Sequence, residues 1–345
     1  MKIVLDAMGG DFGPAPNVEA AVNTAKEFGW EIVLIGRQEL IRPLLVQHNT
    51  AGLHLPIVHS TEVIEMHDHP AQAVKSKKDS SIVRGIQMVK NGEADAFVSM
   101  GNTGGALAAS LLHLGRIRGI HRPCLSAGYP TSKGFVLLCD LGANADCKPE
   151  WLVQFALMGS IYAEKVMNVR KPRIALISNG EEESKGSQLV QEAHQMLKQA
   201  PLNFIGNAEG RDLPAGNADV FVTDGFTGNV IVKLSEGMKT MVESMLKDAF
   251  MSSLTTKVAG ALARDSIRGI MKKRLDYEEI GGAPLLGVDG VVIIGHGRSK
   301  ARAIRSALMR AAESVERGVV DAIEKGLNAL PKVSSGDMRA PTNGQ

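Results

Sequence analysis

The sequence predicts an α/β fold on a mostly parallel sheet, with some antiparallel strands and a protruding helical segment. Two observations predict it. Short apolar runs alternate with segments of helical apolar spacing along most of the chain. Several of these runs end in a glycine-rich turn that leads straight into a helix. The most developed is Asp224-Gly225-Phe226-Thr227-Gly228-Asn229, which follows the strand-like Val220-Phe221-Val222-Thr223 and precedes a long helical pattern from Val230.

In order along the chain, Ile3 to Leu5 reads as a buried strand ending at Asp6. A glycine-proline loop, Met8-Gly9-Gly10-Asp11-Phe12-Gly13-Pro14, then leads to a helix reaching about Phe28, with Pro16 suited to its first turn. Ile32 to Ile35 is a second strand, Gln38 to His48 a helix and Leu55 to His59 a third strand. The polar segment from Met66 to Ser81, with Pro70 and several charges, reads as a surface loop. Ile82, Ile86 and Val89 give a helix, and Ala96-Phe97-Val98-Ser99 a strand. That strand enters a second glycine turn, Met100-Gly101-Asn102-Thr103-Gly104-Gly105, followed by a small-residue helix to Leu114. Leu125 to Tyr129 and Phe135 to Cys139 flank Thr131-Ser132-Lys133-Gly134 and predict an antiparallel hairpin, which runs into Asp140-Leu141-Gly142-Ala143-Asn144. A helix from Pro149 to Val166 and a strand from Arg173 to Ile177 lead to a third turn, Ser178 to Ser187. A helix to Lys198 and a strand at Asn203 to Gly206 come before the opening stretch. The pattern from Val230 to Leu275 is helical with a break. Val291 to Ile294 is the last strand, Gly295-His296-Gly297-Arg298-Ser299 the fourth turn, and Lys300 to Leu327 the final helix. Residues 1–330 thus read as one catalytic unit, divisible into lobes 1–100 with 285–330 and 101–284. Residues 331–345 lack periodicity and read as a disordered tail.

Composition narrows the function classes. With 44% hydrophobic and 22% charged residues and a net charge of +2, the chain has a large apolar core and no overall field suited to nucleic acid. Aromatics at 4% also disfavour base stacking. Cys124, Cys139 and Cys147 form no Cys-x-x-Cys pair, so reduced thiols and a cytoplasmic location are expected. A strand from Lys2 onward argues against a leader peptide, and no apolar run reaches the roughly 20 residues that a membrane span needs.

Helix N-termini offer unpaired N–H groups and a positive dipole end, and glycine lets backbone approach an anion closely. One glycine turn is explained by tight geometry alone. Four of them, with Asn, Thr or Ser beside the glycines, point to a shared phosphate or carboxylate site. No Gly-x-x-x-x-Gly-Lys-Ser/Thr occurs, no Gly-x-Gly-x-x-Gly follows the first strand and no Gly-x-Ser-x-Gly elbow is present. These absences disfavour a nucleotide P-loop, a dinucleotide site and an α/β-hydrolase. His67-x-His69 lacks an evident third ligand, so no metal and no cofactor are expected. Lys185 stands in a glycine-bounded loop after Glu181-Glu182-Glu183. It is either part of a solvated charge run or a cation aimed at a phosphate, with the acids holding the loop in shape. Lys75, Lys77, Lys78 and Arg84 read as surface charges, and Cys139 as a buried inert thiol.

The ordered set of Val4-Leu5-Asp6-Ala7-Met8-Gly9-Gly10-Asp11, Ser99 to Gly105, Asp140 to Asn144, Glu181 to Gly186 and Asp224 to Asn229 closely resembles the bacterial phosphate acyltransferases of phospholipid synthesis, the PlsX type, over about residues 1–330. The resemblance implies a three-layer α/β/α fold like that of isocitrate and isopropylmalate dehydrogenases, in a homodimer, without their metal or nicotinamide. It implies transfer of an acyl group from acyl-acyl carrier protein to inorganic phosphate, and passage of the acyl phosphate to a membrane glycerol-3-phosphate acyltransferase. On this reading phosphate itself is the nucleophile and no acyl-enzyme forms. Lys185 and Asn229 are the catalytic candidates, with Asn102, Thr103, Gly104, Asn144, Thr227 and Gly228 around phosphate and carbonyl. The competing readings are a phosphotransacetylase acting on short acyl-CoA and a non-catalytic anion-binding protein. A basic, apolar-striped helix carries Lys257, Arg264, Arg268, Lys272, Lys273 and Arg274 against Asp265 alone, a net +5. It reads as a dimer-packing segment. Arg264, Arg268 and Lys272 on it are candidates for docking the acidic carrier protein, and its apolar edge for peripheral contact with the inner face of the cell membrane.

Overall fold

The computed structural model describes residues 1–275 and 281–330, with the backbone alone for 267, 268 and 270–275. The chain opens with β1 (Lys2–Asp6), α1 (Pro14–Phe28), β2 (Glu31–Gly36), α2 (Gln38–Leu45) and β3 (Ile57–His59). Next come α3 (Pro70–Ser76), α4 (Ser81–Lys90), β4 (Ala96–Ser99) and α5 (Thr103–Ala109), which continues into a π-helical turn, Ser110–Leu114. The hairpin β5 (Cys124–Thr131) and β6 (Gly134–Cys139) precedes α6 (Pro149–Lys165), β7 (Ile174–Ile177) and α7 (Gln188–Gln199). Then follow β8 (Phe204–Ala208), α8 (Asp212–Ala215), β9 (Val220–Val222), α9 (Gly225–Met251) and α10 (Leu254–Leu275). Last are β10 (Ala283–Leu286), β11 (Val291–Ile294), α11 (Ala301–Glu316) and α12 (Val319–Leu327).

The strands form an 11-stranded sheet in the order β3-β2-β1-β4-β11-β10-β5-β6-β9-β7-β8. β1, β2, β3, β4 and β11 are mutually parallel, as are β6, β9, β7 and β8. Between these blocks β10 pairs antiparallel with both β11 and β5, and β5 pairs antiparallel with β6. The two blocks therefore point in opposite directions. The turns after β1, β4 and β11 leave the C-terminal ends of the first block, and those after β6, β9 and β7 the C-terminal ends of the second. The register through β10 and β5, with Ile293 opposite Pro284, Leu285 opposite Leu125 and Ser126 opposite Cys139, brings the two sets of ends to about the same level. The glycine turns thus form two groups that face each other across the middle of the sheet.

Both faces of the sheet are covered, which is why the strands read as continuous apolar runs. Ile3 and Leu5 of β1 pack with α1 and α11 on one face, while Val4 packs with α4 and α5 on the other. In the second block Leu137 and Cys139 pack against α6 and α12, and Val136 and Leu138 against Leu213, Ile231 and Val232. The result is three layers, helix on sheet on helix. Each fully buried Leu, Ile or Val in these clusters contributes about 1.5–3 kcal/mol relative to exposure.

Three predicted elements are corrected. The segment expected as a loop after Met66 contains the helix α3, since Pro70 at its first turn needs no N–H partner there. Gly318, at φ +60°, divides the expected final helix into α11 and α12. Strand β10 was not legible, because Pro284 and the glycines before it read as a loop, yet it occupies the sheet's centre. The expected break in the long helical region falls at Ser252 and Ser253, where Ser253 and Thr256 cap each other: the Thr256 N–H donates to Ser253 Oγ at 3.1 Å and the Ser253 N–H to Thr256 Oγ1 at 2.9 Å. Residues 276–280 and the expected tail, 331–345, lie outside the described residues.

One contact sets how closely α9 approaches the sheet. A Cβ on Gly228 would sit 1.8 Å from the Asp140 carbonyl oxygen, whereas a Cβ on Gly237, in the same helix, meets nothing within 4 Å. Gly228→Ala is therefore expected to destabilise by about 3 kcal/mol through overpacking. Gly237→Ala should stabilise by about 0.5–1 kcal/mol through helix propensity. Urea unfolding of the two variants measures both; equal, small changes contradict the packing argument.

Candidate active site

The turns after β6 and β9 are built around the Asp140 carboxylate, which is fully buried. Its Oδ1 accepts from the N–H groups of Leu125 at 3.0 Å, Ala143 at 3.2 Å and Gly142 at 3.3 Å. Its Oδ2 accepts from the Asn144 N–H at 2.8 Å and Asn144 Nδ2 at 2.9 Å. Burial pushes this carboxyl above its ordinary range, and the donors pull it back. Gly142, at φ +130°, completes the wrap, and a Cβ on Gly225 would strike Asn144 O at 2.6 Å and Asp140 Oδ2 at 2.9 Å. Glycine in these turns therefore serves close packing of one turn against the next.

The same packing spends most of the polar groups expected to meet a ligand. Asp224 is the N-cap of α9: its carboxylate accepts from the Thr227 N–H and the Thr227 hydroxyl, each at 2.8 Å. The Gly225 N–H donates to Asn144 O at 2.8 Å. Asn144 Nδ2 gives its hydrogens to Pro123 O at 2.8 Å and to Asp140. Asn229 is different. It is exposed, lies over Gly142, and its amide makes no hydrogen bond with a described residue.

Lys185 stands on the turn after β7. Because β7 and β9 run parallel with Leu176 opposite Val222, the two turns leave the sheet side by side. Lys185 is exposed, and its ammonium makes no hydrogen bond or ion pair with a described residue. The glutamates before it are engaged elsewhere: Glu183 with Lys198 at 2.8 Å and Glu181 with Arg211 at 3.5 Å.

Asn102, Thr103 and Gly104 belong to the other group of turns. Asn102 caps α5, accepting from the Gly105 N–H at 2.8 Å. Its Nδ2 donates to the carbonyls of Glu65 at 2.9 Å and Met66 at 3.3 Å. Thr103 is exposed, and a Cβ on Gly104 would lie 2.6 Å from Pro70 Cγ, so α3 packs directly on α5. Asp6 organises this group as Asp140 organises the first: it is buried, accepts from Ser99 Oγ at 2.7 Å and from the Met8 N–H at 3.1 Å, and is held above its ordinary carboxyl range by burial. Two links join the groups. Leu141 and Ala143 pack on the apolar cluster that also holds Leu107 and Ala108 of α5, and Glu236 of α9 stands 3.9 Å from His296 of the fourth turn.

Cys139 is buried beneath α6. Burial pushes the Cys147 thiol up to about 12 and the Cys124 thiol well above the ordinary thiol range, so neither is a thiolate at neutral pH. Among the described residues, Glu181, Glu209 and Asp212 gather within 4.8 Å, and Arg211 pairs with two of them, 2.6 Å from Glu209 and 3.5 Å from Glu181, offsetting part of their charge. His67 and His69 are not part of it. On the hairpin of α9 and α10, where Phe250 packs against Gly260, Arg264 is exposed; the side chains of Arg268 and Lys272 lie outside the described residues. The fold thus leaves Lys185 and Asn229, on adjacent turns, as donors without partners among the described residues. Lys185→Ala and Asn229→Ala are each expected to lower turnover about 10²–10³-fold with the fold intact, while Cys139→Ala keeps most activity. Near-normal rates in the first two variants, or a trapped acyl-cysteine on the native chain, contradict this site.

The chain's relatives agree with this architecture. The profile of the fatty acid synthesis protein family matches residues 1–322. The chain is 50% identical over 332 residues to the phosphate acyltransferase of Dictyoglomus turgidum, covering 96% of this chain and 98% of that one. It is 52% identical over 326 residues to the phosphate acyltransferase of Heliobacterium modesticaldum, covering 94% and 97%. Among solved structures it resembles a phosphotransacetylase from Streptococcus pyogenes, with TM-score 0.61 at 21% identity over 92% of this chain and 94% of that one, which shows a shared fold. A single sheet walled by helices, glycine turns locked around buried aspartates and half-identical relatives along nearly the whole length lead to one conclusion: the chain belongs to the fatty acid synthesis protein family, together with these phosphate acyltransferases.

Proposed function

We propose that this protein transfers a fatty acyl group from acyl-acyl carrier protein to inorganic phosphate, giving acyl phosphate for phospholipid synthesis. The observation that carries the reading is the pair Lys185 and Asn229, an ammonium and an amide without protein partners among the described residues, on neighbouring turns next to Asn144, Asp224 and Thr227, whose side chains are spent on the fold. A phosphate oxygen attacks the thioester carbonyl carbon, a C–O bond forms, and a tetrahedral oxyanion results. Its collapse breaks the C–S bond, and the thiolate leaves with the proton that phosphate gives up. Lys185 binds and orients phosphate, and Asn229 donates to the developing oxyanion. Thr227, Gly228 and Asn144 shape the turn, and Asn102, Thr103 and Gly104 shape the facing one. Direct attack needs no activated Ser or Cys, in keeping with the buried Cys139.

The alternative donor is a short acyl-CoA, as a phosphotransacetylase would use. One feature favours the long chain. Phe226, Val230, Leu234 and Met238 are exposed at helical spacing along α9, beginning beside Asn229, and form an apolar track that an acetyl group does not need. Met241, Met245, Leu254, Val258 and Leu262 continue the exposed apolar surface onto the rest of the hairpin. We assign this surface to homodimer packing and to peripheral contact with the membrane where a glycerol-3-phosphate acyltransferase consumes the product; no helix of the described residues is long and apolar enough to cross a membrane. The basic face of α10 then receives the acidic carrier protein by charge steering.

Purified protein given phosphate and palmitoyl-acyl carrier protein should yield acyl phosphate, trapped as a hydroxamate by hydroxylamine, and should turn over acetyl-CoA poorly. Preference for acetyl-CoA overturns the assignment. For docking, exchanging Arg264, Arg268 and Lys272 for Glu should raise KM for the acyl carrier protein and weaken its salt dependence, with phosphate kinetics little changed. Native carrier-protein kinetics at low salt in a dimeric triple variant rule this surface out.

A further inference from the structure

The loop that carries Lys185 is exposed along most of its length, yet its backbone is pinned by side chains from α7, from β8 and from the loop itself. Gln191, in the first turn of α7, donates through Nε2 to the Ser184 carbonyl at 2.9 Å and to the Gly186 carbonyl at 3.1 Å. These are the two residues flanking Lys185. The Gly186 N–H, at φ +93°, donates to Asn179 Oδ1 at 2.8 Å. The Lys185 N–H donates to the Glu182 carbonyl at 3.0 Å, which also accepts from Asn207 Nδ2 of β8 at 2.9 Å. Asn207 is held in turn by the buried His194 of α7, with 2.8 Å between Asn207 Oδ1 and His194 Nδ1. Within this fixed frame the Lys185 ammonium has no partner among the described residues, and two of the three preceding acids are drawn to Arg211 and Lys198 instead of to it.

A loop with no task gains little from such bracing. Side chains that bridge the carbonyls on both sides of one residue fix where its side chain starts, and a cation with no internal partner stays available for an external anion. We infer that Gln191 is a positioning residue for phosphate: its amide clamps the Ser184 and Gly186 carbonyls and so aims the Lys185 ammonium at the bound anion. This rests on the proposed role of Lys185 and extends it to a residue that touches no substrate. Displacement of a reacting group by about 1 Å can cost about 10²-fold in rate, so releasing the clamp is felt in catalysis more than in folding.

The test uses the full chain with inorganic phosphate and palmitoyl-acyl carrier protein. Gln191 is exposed, so Gln191→Ala removes both hydrogen bonds without opening the core. Gln191→Glu keeps the shape but has no hydrogen to donate. Both variants are expected to lower kcat at least about tenfold and to raise KM for phosphate, with KM for the acyl carrier protein and the melting temperature near native values. In a Lys185→Ala background, adding Gln191→Ala should cause no further loss, because the clamp acts through that lysine. Native phosphate kinetics in both Gln191 variants overturn the inference. So does an equal loss in the native and Lys185→Ala backgrounds, or a loss that tracks the melting temperature. If Lys185→Ala alone retains native turnover, the role proposed for Lys185 fails first, and the clamp with it. If Lys185→Ala is impaired and the Gln191 variants are not, only the clamp fails.

Discussion

The Asp140 carboxylate is the interaction on which the site depends. A carboxylate with no solvent exposure is costly unless its oxygens are filled, and here the N–H groups of Leu125, Gly142, Ala143 and Asn144 and the Asn144 amide fill them. Those donors belong to β5 and to the turn after β6, so satisfying one side chain folds the turn. The folded turn then receives the first turn of α9, which approaches so closely that Gly225 and Gly228 have no room for a side chain. The position of Asn229 follows from that docking. The chain of cause runs from a buried charge, through backbone geometry, to the placement of one exposed amide.

Asp6 plays the corresponding part in the first block, with Ser99 as its partner and the turns after β1 and β4 folded together above it. A Cβ on Gly9 would meet the Gly101 nitrogen at 2.7 Å and Asp6 Oδ2 at 2.9 Å. Each block of parallel strands therefore ends in a buried aspartate surrounded by glycine turns. In both, the backbone N–H groups that a helix N-terminus offers to an anion are partly taken by the protein's own caps, Asn102 in one and Asp224 in the other. On the proposed function, Asn229 and Lys185 add side-chain donors for a ligand beside these turns.

The charges of the Lys185 loop are arranged by the same economy. Three consecutive glutamates beside a lysine would ordinarily quench it. Arg211 and Lys198 draw two of them aside, while Asn179, Gln191 and Asn207 hold the backbone. The ammonium is left with a fixed base and no internal partner, the condition in which a cation adds most to anion binding, since little ordering remains to be done. Along α9 the exposed apolar side chains Phe226, Val230, Leu234 and Met238 adjoin Asn229, which on the proposed function sets acyl-chain contact beside the thioester.

The alternation of apolar runs and helical periods determined the strands of both blocks, the β5–β6 hairpin and the break at Ser252 and Ser253, because burial on two faces and local capping leave their marks in neighbouring residues. Motif order was enough to identify the family. It also made Lys185 and Asn229 the catalytic candidates and Asn102, Asn144 and Thr227 further donors, without showing which of these groups the fold itself uses. Separating them required the tertiary structure, because whether an amide is spent or available depends on acceptors far away in sequence, such as Pro123 O for Asn144 or Glu65 O for Asn102. Gln191 carried no signal at all: an exposed glutamine on a polar helix face is unremarkable until the loop before it folds back beneath its amide. Strand direction was likewise invisible locally. It is set by β10, a strand that Pro284 and its glycine neighbours disguise as loop, and the register through β10 and β5 brings the turns of the two blocks face to face. Local sequence specifies periodicity and caps, whereas the pairing of distant polar groups is fixed only when the whole sheet closes around them.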